Sequence, residues 1–170
     1  MNRSILTLSL AVALTAATLS PNAQAVTVNR DYLSHGTANC QSALPVFDGN
    51  IRKRPAAVAN EGTATAFVTC DSESINNSGA GFSGVGVYFL NRAGTAGITV
   101  TCTLVNAVFT AGATVTKTSA AIPASSTGFI TWSTADNGGN NFTAPAVSCA
   151  LPPGVDISFM QFVYPEDVGA

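Results

Sequence analysis

Charge is scarce in this sequence. Asp, Glu, Lys and Arg make up 9% of its 170 residues and leave a net charge of -2, where an average soluble protein has about a quarter of its residues charged. The only basic block, Arg52-Lys53-Arg54, precedes Pro55 and reads as a solvated turn, so there is no electrostatic footprint for nucleic acid or for an anionic lipid surface. Histidine occurs once, as His35 in a Ser-His-Gly turn, which leaves a serine or cysteine hydrolase without its usual base. With no CxxC pair beside that histidine, the spacing of a zinc site is missing too. The nine carboxylates, Asp31, Asp48, Glu61, Asp71, Glu73, Asp136, Asp156, Glu166 and Asp167, are scattered over turns and strand ends, and no spacing marks out a pair for glycoside hydrolysis. Neither a cofactor nor a resident metal is implied.

Long apolar runs are equally few. Ile5 to Leu19 follows the single charge of Arg3 and is too short and weakly apolar to span a bilayer. Pro21-Asn22-Ala23-Gln24-Ala25 then supplies the small-x-small pattern of a cleavage site. This predicts a signal peptide over residues 1–25, cut after Ala25, and a single domain over 26–170 that is secreted or periplasmic and not inserted in a membrane. No cysteine follows the cut, so no lipid anchor is expected. A mature chain of that size buries roughly two thirds of its unfolded surface.

What fills the gap left by charge is Thr, Ser and Asn. Ile98 to Val105 is the clearest stretch: Ile98, Val100, Cys102 and Leu104 fall on one side of an extended chain, and Thr99, Thr101 and Thr103 on the other. Thr63 to Cys70 alternates in the same way, and Thr114, Thr116 and Thr118 mark another hydroxyl-bearing face within Ala113 to Ala121. Further strands are expected at Val26 to Asn29, Val85 to Leu90, Val108 to Phe109, Phe129 to Thr134, Ala146 to Leu151 and Val155 to Tyr164. The stretch after Asn29, through His35, Cys40 and Leu44-Pro45 to Gly49, reads as irregular, and Asp71 to Gly84 as a long loop. Asn91 to Gly94 should turn the Val85 strand towards the Ile98 strand, and Pro152-Pro153-Gly154 suits a type II turn. About eight short strands with no helix-period run predict an all-β antiparallel sandwich or jelly-roll-like barrel.

Four cysteines, Cys40, Cys70, Cys102 and Cys149, all lie beyond the leader, and an even number in an oxidising compartment argues for two disulfides. Of three possible pairings, Cys40 with Cys70 closes an N-terminal flap onto a strand, and Cys102 with Cys149 joins two strands whose inward faces both read apolar.

The binding candidates are Trp132 and the loop holding Asp136, Asn137, Asn140 and Asn141. Trp132 could offer a stacking face to a sugar ring, although it alternates in phase with Ile130 and so also reads as core; Tyr88, Tyr32 and Tyr164 are weaker candidates of the same kind. The loop carries oxygen donors suited to calcium, as does Asp71 with Glu73, Asn76 and Asn77, yet neither matches a calcium-loop pattern and both have ordinary turn composition. With two lysines in all, strands such as Ala113 to Ala121 lack the charges that commonly protect an edge and could accept another chain.

Asn60-Glu61-Gly62 before a strand ending at Cys70, the Val-Thr-Cys-Thr-Leu run, the Cys149-Ala-Leu-Pro-Pro-Gly turn and the terminal Tyr164-Pro-Glu-Asp-Val-Gly resemble small exported bacterial β-sandwich proteins over most of residues 40–170. These motifs are turns and disulfide anchors, so the resemblance implies a fold and brings no activity with it. The expectation is a non-catalytic surface or binding module that engages glycans or copies of itself. The alternatives are a self-assembling layer or filament subunit, and a small carboxylate-dependent hydrolase or lyase.

Overall fold

A computed structural model describes residues 26–72, 80–94, 97–108 and 111–169. The leader expected over 1–25 lies outside the described residues, as do Glu73, Asn76 and Asn77 of the long loop. The chain divides into two compact units. One, whose described residues are 26–27 and 167–169, joins the Val26 N–H to the Gly169 carbonyl at 3.3 Å and the Val168 N–H to the Val26 carbonyl at 3.0 Å. The other, Val28–Glu166, carries the sandwich.

In chain order the strands are β1 (Thr27–His35), β2 (Cys40–Ser42), β3 (Ile51–Arg54), β4 (Ala57–Asn60), β5 (Ala66–Asp71), β6 (Gly84–Asn91), β7 (Thr101–Val108), β8 (Ala111–Thr118), β9 (Thr127–Ser133), β10 (Pro145–Leu151) and β11 (Val155–Asp167). The count is eleven among the described residues, where about eight were expected. The additions, β2, β3 and β4, are three or four residues long, too short to display a period of two. The stretch from Asn29 to Gly49 is correspondingly less irregular than it reads: β1 runs on to His35, and a helical turn at Gly36–Asn39 and a 3-10 turn at Pro45–Phe47 flank β2.

Two antiparallel sheets result. One runs β3-β4-β11-β6-β9, with β1 also pairing β11, and the other β2-β5-β10-β7-β8. β6 pairs with β11 and β9 and not with β7, so the Asn91–Gly94 connection crosses between sheets where the sequence suggested neighbours in one. Their apolar inner faces meet in one core that includes Val87, Phe89, Trp132 and Phe162 from the first sheet and Val68, Leu104, Val147 and Leu151 from the second. The Pro153-Gly154 turn forms as expected: the Val155 N–H donates to the Pro152 carbonyl at 3.2 Å, and Gly154 adopts a φ of 74°, open to glycine at little cost.

Both disulfides form with the expected pairing, Cys40 to Cys70 and Cys102 to Cys149. Each joins residues directly opposite one another on adjacent strands of the five-stranded sheet. Oxidised pairs of this kind fit an extracytoplasmic, oxidising environment.

Two irregularities shape the surface. In β11 the pairing steps from Ile157 opposite Phe89 to Phe159 opposite Tyr88, so Ser158 is an extra residue that reverses the alternation. Val155 and Ile157 point inward before it, Met160 and Phe162 after it, and Phe159 is left on the outer face beside Tyr88. Beyond β8, the Ser119 N–H donates to the Val100 carbonyl at 2.9 Å and the Ile122 N–H to the Ile98 carbonyl at 2.8 Å. One strand therefore spends one residue more than its partner between these bonds, bulging at Ala120 and Ala121. The Ser119 hydroxyl accepts from the Val100 N–H at 3.0 Å, which is why the regular ladder of β7 begins at Thr101 and not at Ile98. Ala111 and Gly112 pair with Val108 and Ala107 within this hairpin, so β8 begins two residues before the Ala113 start expected from the sequence.

Candidate functional site

Trp132 is 1% exposed. Its indole N–H donates to the Val115 carbonyl at 3.1 Å, and it presents no ring face to solvent. The expected loop is a 3-10 turn at Thr134–Asn137 whose side chains are engaged within the protein. Asp136 accepts from the Ser133 N–H at 2.8 Å and from Lys117 Nζ at 2.8 Å. Asn137 Nδ2 donates to the carbonyls of Asn140 at 3.1 Å and Asn141 at 2.9 Å, and Asn141 Nδ2 donates to the Ala80 carbonyl at 2.6 Å. Asn140 is exposed, and its side-chain amide makes only long contacts of 3.5 Å back to the turn. Lys117 holds Asp136 below the ordinary carboxylate range, helped by the Ser133 N–H.

The exposed aromatic surface lies elsewhere. On the outer face of the six-stranded sheet, Phe159, Tyr88 and Phe129 stand in one row across β11, β6 and β9. The rings of Tyr88 and Phe159 stack at 4.3 Å with 18° between planes, and those of Tyr88 and Phe129 lie 5.8 Å apart. The Tyr88 hydroxyl donates to Gln161 Oε1 at 2.7 Å. Phe129, at the end of the row on the edge strand, is 60% exposed. The strand pairing brings the three rings together, and only Tyr88 among them was singled out by sequence; the Ser158 bulge hides Phe159 from any unbroken alternation.

Phe129 also lines a cleft of about 360 Å³ between β9 and the segment from Lys117 to Ile122. The bulge at Ala120 and Ala121 forms one wall. Its position is set from the core side: buried Asn91 donates through Nδ2 to the carbonyls of Ile122 at 3.0 Å and Pro123 at 3.2 Å. Gly128 closes the floor, where a Cβ would stand 2.5 Å from Ile122 Cγ1. At the far end Lys117 Nζ donates to the Thr131 carbonyl at 2.9 Å as well as to Asp136. The remaining lining is hydroxyl, methyl and backbone, from Thr118, Ser119, Thr127 and the two alanines, and none of it is acidic.

No protein-family model matches the chain, and no curated protein does. Among solved structures it is similar to the Podospora anserina GH26-CBM35 β-(1,4)-mannanase, at 10% identity and TM-score 0.35, over 84% of this chain and 28% of that one. It is also similar to TmCBM61 in complex with β-1,4-galactotriose, at 9% identity and TM-score 0.32, over 81% and 88% of the two chains. The chain spans little more than a quarter of the mannanase it matches.

Besides Lys117 with Asp136, three ion pairs form among the described residues, one of them Arg30 Nε with Glu166 Oε2 at 2.7 Å. Arg92 Nη2 donates to Asp156 Oδ1 at 2.7 Å, and Arg54 Nε to Glu61 Oε1 at 2.7 Å. Burial raises the Asp156 pKa, against the pull of Arg92. His35 is exposed at the end of β1. Among the described residues no group of three His, Cys, Asp or Glu could hold a metal, and no helix is long and apolar enough to cross a membrane.

Proposed function

We propose that the protein is an exported, non-catalytic binding module that holds a neutral saccharide in the cleft beside β9, with a sugar ring stacked on Phe129. In this reading residues 26–170 act as one secreted or periplasmic domain once the 1–25 leader is removed. The observation that carries it is Phe129 itself: a large apolar ring, mostly exposed, at the mouth of a cleft. Contact with Tyr88, itself stacked on Phe159, limits the motion of that ring before any ligand arrives, which lowers the ordering cost of binding. The lining favours a neutral ligand, since Lys117 is its single ionisable side chain and is already paired with Asp136. A cleft of this size suits one or two sugar units, at the small end of ligand sites.

Catalysis has little support in the same place. Glu61 and Asp156, the carboxylates whose charges interact, are each bound to an arginine and line no part of the cleft. A glycan array with the native protein and a Phe129→Ala variant tests the reading: the variant should bind its best neutral glycan at least about tenfold more weakly, or about 1.4 kcal/mol. Equal binding by both, or no glycan bound by the native protein, would overturn it.

A further inference from the structure

The outer face of the five-stranded sheet is a second surface, which meets the saccharide cleft only at Thr118. One row across it reads Gln41, Thr69, Ser148, Thr103 and Thr116, one residue from each strand. On β7 and β8 the rows either side are Thr101 with Thr118 and Val105 with Thr114, so six β-branched side chains form a two-by-three array. The Thr101 and Thr118 hydroxyls hydrogen-bond at 2.9 Å, and those of Thr103 and Thr116 at 2.8 Å. These bonds hold the hydroxyls and methyls in fixed rotamers. β10 contributes only Ala146, Ser148 and Ala150 to the face, so the array on β7 and β8 is flanked by short side chains; the one large ring on the face, Phe67 of β5, stands beyond Ala150 and is 47% exposed. Beneath, on the core side of the same sheet, the two disulfides join neighbouring strands.

The repeat follows from sheet geometry: about 4.8 Å from strand to strand and about 6.7 Å between alternate residues along each strand. Among the paired positions of β5, β10, β7 and β8 on this face, Asp71, at one corner, alone carries a carboxylate. A charged partner would find only that corner carboxylate to pair with here. Five strands by three rows cover roughly 480 Å², well below the roughly 800 Å² per partner of a stable protein interface, which argues against a second copy. A polysaccharide lattice would want ring faces along the array; β10, β7 and β8 offer none, and Phe67 stands two strands from β7, packed against Phe47 at 5.8 Å. What fits is a neutral, rigid, repeating surface that takes hydrogen bonds at the hydroxyls and packs against methyls. We propose that this face binds ice.

The test is freezing hysteresis and ice-recrystallisation inhibition by the native, oxidised protein, by Thr116→Lys and Thr103→Lys, and by Phe129→Ala. Native protein and Phe129→Ala should both arrest ice growth, and each lysine variant should lose that effect while keeping the native circular dichroism. Thr103→Lys serves if Thr116→Lys fails to fold, and neither threonine lines the cleft. Because Phe129→Ala removes the cleft's stacking ring and leaves this face intact, its result separates this proposal from the saccharide reading. The proposal is overturned if the native protein leaves ice growth unchanged, if folded lysine variants are as active as native, or if the lysine variants lose binding to insoluble cellulose or chitin, which would assign the face to a polysaccharide lattice.

Discussion

Trp132 on β9 donates its indole N–H to the Val115 carbonyl on β8, and Lys117 on β8 donates its ammonium to the Thr131 carbonyl on β9. These two strands are the open edges of opposite sheets. Each lends a side chain to a backbone carbonyl that the other's ladder leaves free, so the side of the sandwich is closed without a further strand. The Ala113 to Ala121 edge, which looks unprotected from its lack of charge, is covered in this way by a tryptophan and by one of the two lysines. A Trp132→Phe, Lys117→Ala double variant should therefore associate in a concentration-dependent manner by sedimentation velocity while the native protein does not. Loss of the indole bond alone should cost about 1 kcal/mol in urea denaturation.

The disulfides span 30 and 47 residues of sequence. In the chain-entropy account, closing such loops stabilises the fold by about 3.6 and about 4 kcal/mol. Replacing Cys102 and Cys149 together by alanine should thus lower stability slightly more than replacing Cys40 and Cys70, as read from urea midpoints. The buried positions of all four sulfurs add a cavity cost to each variant.

Two carboxylates respond to pH in opposite senses. Hydrogen bonding from Lys117 lowers the pKa of Asp136 below the unfolded value of about 3.9, so its contribution is complete above that pH and is lost as pH falls through the lower, folded value. Burial raises the pKa of Asp156, so its ionisation opposes folding as pH rises through the folded value and costs nothing below the unfolded one. Thermal denaturation between about pH 3 and about pH 6 should find Asp136→Asn more destabilising at the higher pH. Asp156→Asn should show the reverse trend, gaining on the native protein as pH rises.

Gly128 sets the depth of the cleft. A methyl there meets Ile122 Cγ1 at 2.5 Å, so Gly128→Ala must push the wall at Ile122 outward at a cost of about 1 to 3 kcal/mol. Calorimetric unfolding would register the loss, and saccharide binding should weaken with it.

Much of the architecture is legible in the residues because it rests on alternation: Cys102 and Leu104 against Thr101 and Thr103 announce both an inner and an outer face. The pairing of Cys102 with Cys149 follows from two such inward positions, whereas Cys40, on a strand of three residues, was placed only as a flap closing onto the Cys70 strand. The aromatic row and the cleft beside it were not legible, for a reason common to both. Phe159 reaches the surface only because Ser158 breaks the period of β11, and the wall at Ala120 and Ala121 exists only because that segment has one residue more than its partner. A bulge is invisible to a reading that assumes an unbroken period. Trp132 drew notice as the lone tryptophan, while its in-phase position with Ile130 already placed it among core residues.

Chemical-shift mapping reaches the saccharide cleft most directly. On titration of isotopically labelled native protein with a neutral oligosaccharide selected from the array, amide signals of Lys117 to Ile122 and Thr127 to Thr131 should move together, with saturation transfer from the Phe129 ring protons to the sugar. Shifts confined to the Asp136 to Asn141 turn, or a saturating titration that leaves the β9 signals in place, would contradict a cleft built around Phe129.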